Sequence, residues 1–234
     1  MTIQSDVYTI VLLTIILGIG IVLVSKGLDK LDPYEKPTGW KAPVILGIQS
    51  VYNSVKTNVG TKTADRLTPY ILVLWIYIFC SNIASLFGLS SPTANLSVTL
   101  LLAFITWVLI QVTELKYDGL KAYIHSFFEP FAVMLPVNIV GKFSTMCSMA
   151  LRLFGNITCG GIMMQLVYMG LQGLSNAIAG LFGANSAFNF MAPIIAPVLH
   201  AYFDIFTGFI QTLVFATLTM VLIGTDMPDE AKQE

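Results

Sequence analysis

The stretch Ser148–Gly161, "SMALRLFGNITCGG", decides how the chain is read. One arginine, Arg152, stands in a long apolar segment with no acidic residue near it in sequence. In water an arginine among leucines has little consequence. Near the middle of a bilayer it costs about 2.5–3.5 kcal/mol on insertion scales. Composition says which solvent surrounds it. Of 234 residues, 56% are hydrophobic and only 11% charged, whereas a soluble domain carries about a quarter charged residues. The chain cannot cover itself with charge, so much of its surface must face lipid.

Five segments are long and apolar enough to cross, at about residues 7–24, 69–89, 96–112, 131–172 and 187–224. As helices the last two reach roughly 55–60 Å, nearly twice the ~30 Å hydrocarbon core. Either they break near Pro136, Pro193 and Pro197, or they cross as steeply tilted helices. The uncharged connector between them predicts a final hairpin of two long helices. Residues 117–128 are short, amphipathic and aromatic, and are expected to lie along the interface. The expected fold is an all-α integral membrane protein, one domain over residues 1–234, without an internal repeat.

Cations set the orientation. Seven of the twelve Lys and Arg fall between Lys26 and Arg66, Lys116 and Lys121 follow the third span, and Lys232 is in the tail. Connectors 90–95 and 173–186 carry none. This predicts an outside N-terminus, a cytoplasmic loop over 25–68 and a cytoplasmic C-terminus. No Lys or Arg precedes the first apolar run and no cleavage site follows it, so it reads as a retained span. The formal net charge of −1 gives no sign of a nucleic-acid partner. Cys80, Cys147 and Cys159 lie in apolar runs without metal-ligand or disulfide spacing, and no metal or cofactor is expected.

Two cations fit no loop. Lys142 is near enough to the cytoplasmic end of its span to snorkel and reads as an interfacial anchor. Arg152 is ten residues deeper. Asp204 is the matching oddity in the last segment, with His200 one turn before it and Gln211 two turns after. Positions 200, 204, 207, 208 and 211 share a helix face. On the fourth segment Thr145, Ser148, Arg152, Gly155, Asn156, Cys159 and Gly160 follow three- and four-residue spacing, and the small ones admit a close neighbour. From the residues alone, Arg152 and Asp204 are either an ion pair locking two helices or parts of an ion path. His200 is a packing residue or a proton carrier, and Gln211 helix–helix glue or a path residue. Asn82, Asn95 and Asn138 read as interfacial or capping residues. An ionisable residue held inside the membrane marks an ion path by default.

"LRLFGNI" with its two following glycines, and "FIQTLVFATLTMVLIG" about fifty residues later, resemble subunit a of the F-type ATP synthase. "SNIASLFGL", "SPTANLSVTL" and "LPVNIVGKFSTMCSMALRLFGN" are similar to the same family in the same order, from about Pro69 onward. The resemblance implies a partner for Arg152: a rotating ring of c subunits, each with a membrane-embedded carboxylate, served by two offset half-channels. It implies b-type peripheral stalk subunits, the rest of the synthase and the cell's inner membrane as surroundings. Arg152, Asp204, Gln211, Asn156, His200 and Ser148 are the ion-translocation candidates, and Gly155, Gly160 and Gly161 the close-packing positions. Where many relatives carry a carboxylate or histidine, nine residues after the arginine, this chain has Gly161. His200 or water is expected to take that place beside Asp204. Asn95 stands where relatives often have Asp.

Two other classes compete. A stand-alone secondary transporter gated by Arg152 and Asp204 would normally show paired repeats. A purely structural anchor would not need Arg152. No GxxxxGK[ST] loop is present, so the chain is expected to carry no nucleotide chemistry of its own.

Overall fold

The computed structural model describes residues 5–28, 39–128, 131–181, 189–225 and 227. Helices follow one another as α1 (Ser5–Leu28), α2 (Lys41–Val59), α3 (Thr61–Ile83), α4 (Leu96–Ser126), α5 (Leu135–Leu181), α6 (Ala192–His200) and α7 (Thr207–Thr225). Among the described residues no strand occurs, and five helical stretches are long and apolar enough to cross a membrane. They are Val7–Leu28, Thr61–Phe87, Leu96–Tyr117, Leu135–Gly180 and Ala192–Thr225. The chain is an all-α integral membrane protein.

Several boundaries differ from the sequence reading. Within residues 25–68, read as a loop, α2 is a helix whose Val55 and Val59 are wholly buried. Its apolar positions are too sparse to stand out among the cations, but they close onto α3 and α7 and so earn a helix by packing. The second span starts at Thr61, and Pro69 lies inside it. Burial of Ala64, Leu67 and Thr68 carries the helix through the proline, although Pro69 has no N–H to give. Gly60 joins α2 to α3 as a single residue at φ 78°, a corner that a side chain would strain.

The two overlong segments do not break at their prolines. Pro136 and Pro193 occupy first turns, where a missing N–H costs nothing. At 47 residues α5 is about 70 Å long and must tilt or project beyond the hydrocarbon. It continues through Gly173 to Leu181, well into the stretch read as a connector; residues 182–188 of that connector lie outside the described set. Residues 120–126 continue α4 after a bend at Gly119, φ 78°, at the place expected for the interfacial helix.

Two apolar clusters hold the bundle. One joins Val55, Val59, Leu67, Ile71 and Ile110 to Ala216, Met220 and Ile223. The other joins Leu74, Ile78 and Ala103 to Met149, Ala150, Leu153 and Phe215. Helices α3, α4 and α7 each contribute to both. At the end of α7 Gly224 passes so close to α2 that an added Cβ would collide with the Asn58 carbonyl. Gly224→Ala should therefore lower stability by about 1–3 kcal/mol. Gly20→Ala, with open space around it, should change it little; thermal inactivation of the purified complex in detergent measures both.

Candidate functional site

Arg152 is set by the register of α5. Met149, Ala150 and Leu153 turn into the bundle, which leaves Cys147, Ser148, Leu151 and Arg152 exposed. No hydrogen bond or ion pair joins Arg152 to any described residue. An added Cβ at Gly155, Gly160 or Gly161 of the same helix would meet nothing within 4 Å. The helix thus offers a cation and a row of small residues to whatever lies outside the chain. Asn156 is half-buried among them, and its Nδ2 has no partner.

Asp204 is not paired with Arg152. Its Oδ2 lies 2.6 Å from His200 Nδ1, and His200 Nε2 lies 3.0 Å from the Tyr168 hydroxyl of α5. A phenol, an imidazole and a carboxylate form one chain of hydrogen bonds joining α5 to the last helix. The turn carrying Asp204, Ala201–Phe206, is π-helical, and Thr207 Oγ1 donates to the carbonyl of Tyr202 five residues back. Such single wide turns inside a helix recur at functional sites. His200 borders two cavities: one of about 470 Å³ with Tyr168, Asn189 and Pro193, and one of about 320 Å³ with Ser85, Leu86 and Ile205.

The shared face expected of positions 200, 204, 207, 208 and 211 is split by the π turn, whose wider winding shifts the register behind it. His200 meets Tyr168 of α5 and holds Asp204, while Gly208 and Thr212 meet Asn82 of α3. There Asn82, fully buried, donates through Nδ2 to the Gly208 carbonyl at 3.1 Å and accepts from Thr93 Oγ1 at 2.8 Å. Ser91 Oγ lies 2.8 Å from the Thr93 hydroxyl and donates to the carbonyl of Ser81 at 2.7 Å. Gln211 is also buried, and its Nε2 has no partner.

The sequence profile of the ATP synthase A chain family matches residues 7–224. The chain belongs to that family. It is similar to the ATP synthase subunit a of Priestia megaterium, 31% identical over 230 residues that cover 94% of this chain and 90% of the relative. The subunit a of Lysinibacillus sphaericus is 32% identical over 204 residues, 83% of this chain and 81% of the relative. One from Propionigenium modestum, named as sodium ion specific, is 30% identical over 177 residues, 68% of this chain and 54% of the relative. As an ATP synthase A chain, the protein is a multi-pass membrane component of the synthase, and ATP synthesis and ion transport are the processes it belongs to.

In this ATP synthase A chain four polar residues escaped the sequence reading. Tyr168 stood among methionines with nothing to mark it. Asn82 read as an interfacial residue but is wholly buried, and Thr93 was seen only as part of a motif. Glu114 follows the third apolar run, with nothing in the sequence to tie it to Lys142. Asn95 does cap α4, its Oδ1 accepting from Ser97 N–H at 3.0 Å. Lys142 is the correction among the cations: it does not reach out to water as an anchor. Its Nζ donates to both Glu114 oxygens, at 2.5 and 2.6 Å, and lies 4.5 Å from the Tyr123 ring centre and 4.7 Å from that of Phe127. The stem is long enough to turn either way, and Glu114, 9% exposed, draws it inward. The Tyr123 phenol titrates above its ordinary value, first because of burial and then because of the Glu114 charge.

Breaking a buried pair strands a charge, whereas removing both partners does not. Glu114→Ala alone should destabilise the assembled complex more than Glu114→Ala with Lys142→Ala. A coupling of about 1 kcal/mol is expected from a double-mutant cycle on thermal inactivation.

Proposed function

We propose that this chain is the stator side of an ion-driven rotary motor, forming two half-channels beside a ring of c subunits. The observation that carries the reading is Arg152, a cation on the outward face of the longest described helix with no anion beside it among the described residues. A carboxylate on the ring tolerates lipid only when neutral, since a bare charge in hydrocarbon is prohibitive. Beside Arg152 its pKa falls and it releases its ion. Guanidinium keeps its proton at any usable pH, so Arg152 is a fixed charge and not a relay. Direct leakage of cations between the half-channels meets that charge, and passage requires the ring to turn. Each elementary charge crossing gains about 2.3 kcal/mol per 100 mV, so several must cross for each ATP.

The outside-facing half-channel runs past Tyr168, His200 and Asp204, with Gln211, Asn156 and Ser148 nearer the ring. Gly155, Gly160 and Gly161 let the ring helices approach. His200 stands in for the side chain missing at Gly161, and its 2.6 Å contact with Asp204 supports this. The N-terminus lies outside and the C-terminus in the cytoplasm, with b-type stalk subunits holding the chain against rotation in the inner membrane. A stand-alone transporter gated by Arg152 and Asp204 would join those two residues, and Asp204 is joined to His200 instead.

Two measurements on the reconstituted synthase test the reading. Arg152→Ala should assemble yet lose ATP-driven ion pumping, and pumping at the normal rate would overturn the proposal. Asp204→Asn should slow ion flux at least tenfold, the order expected when a proton-carrying group is removed. Normal flux in that variant across the neutral pH range would take Asp204 off the path.

A further inference from the structure

Away from Arg152 and Asp204, α3 and α4 line a cavity of about 530 Å³ with Lys62, Arg66 and Lys116, and Asp65 is the one carboxylate among its described lining residues. Thr61 begins one membrane span and Tyr117 ends the next, so the cavity sits where both helices leave the hydrocarbon on the same side. We propose that it binds the headgroup of an anionic phospholipid.

Five features favour that occupant. Even with Lys62 set aside, Arg66 and Lys116 against Asp65 leave the described rim net positive, which attracts a phosphodiester and repels the quaternary ammonium of a choline lipid. Arg66 makes no hydrogen bond or ion pair with any described residue, and its planar fork suits two phosphate oxygens at once. Asp65 does not neutralise the rim fully, because the Tyr52 hydroxyl of α2 donates to its Oδ1 at 3.0 Å. The wall is already built: Thr63 Oγ1 lies 2.7 Å from the Tyr117 hydroxyl, joining α3 to α4. Below the rim, Leu67 and Leu109 line the cavity and continue the apolar surface that an acyl chain needs. Basic pockets between membrane helices at the bilayer surface are suited to such headgroups.

The assembled synthase, equilibrated in mixed micelles of phosphatidylglycerol and phosphatidylcholine and stripped of loosely held lipid, provides the test. Native mass spectrometry of the a subunit released from it should show phosphatidylglycerol retained over phosphatidylcholine. Arg66→Gln with Lys116→Gln should reduce that retention about tenfold. Lys41→Gln with Lys56→Gln removes the same charge outside the cavity and should leave retention unchanged. Arg66→Lys, which keeps the charge but not the fork, should fall in between and serves if the double variant fails to assemble. Equal retention in wild type and cavity variants, or equal loss in the Lys41/Lys56 control, would overturn the proposal. A cross-linker at position 66 that captures another synthase subunit in place of lipid would overturn it as well. None of these outcomes depends on pumping, so the site stands or falls apart from the ion path.

Discussion

A guanidinium inside hydrocarbon, with no anion beside it among the described residues, is tolerable only beside a partner that supplies one or beside water. The packing of α5 follows from that constraint. One side of the helix is tied to α3, α4 and α7 through Met149, Ala150 and Leu153. The other side, with Arg152 and the glycines, is left open. A soluble protein would fold such a face inward or hydrate it. Here the chain is incomplete by design, and its most costly side chain faces outward.

The remaining polar groups obey the opposite rule. Hydrocarbon offers no hydrogen bonds, so buried hydroxyls and amides must find one another. Asn82, Thr93 and Ser91 do so, with backbone carbonyls closing the network. The effect is to pin the end of α3 to the start of α7, beside the π turn that presents Asp204. Rigid attachment on that side and an open face on the other hold the arginine and the carboxylate on separate helices. Among the described residues the exceptions are the hydroxyls of Ser81 and Thr158 and the amide nitrogens of Asn156 and Gln211.

Charge within the span is handled differently at each depth. Toward the start of α5, Lys142 meets Glu114 within the chain, walled by Tyr123 and Phe127. Ten residues on, Arg152 has no such partner. At the far end His200 and Asp204 pair across one helical turn. Across α4, α5 and the last crossing there are thus a closed pair, an open cation and a second closed pair, and of these only the cation Arg152 has no partner among the described residues.

The sequence by itself determined the solvent and the helical class, since 11% charge cannot clothe 234 residues in water. It also singled out Arg152, because a lone cation in a span is visible without any coordinates. The run "RLFGN" and the glutamine segment carried the family. Tertiary structure alone decided the partners. Asp204 could have met Arg152 or His200, and in the fold it pairs with His200, four residues before it, while Arg152 stays apart. Lys142 could have reached water or Glu114, and the fold of α4 beside α5 chose Glu114. Helix α2 and the true start of α3 were hidden for the same reason. Hydropathy averages over a window of residues, whereas pairing and packing depend on which two side chains distant in sequence arrive within a few ångströms of each other.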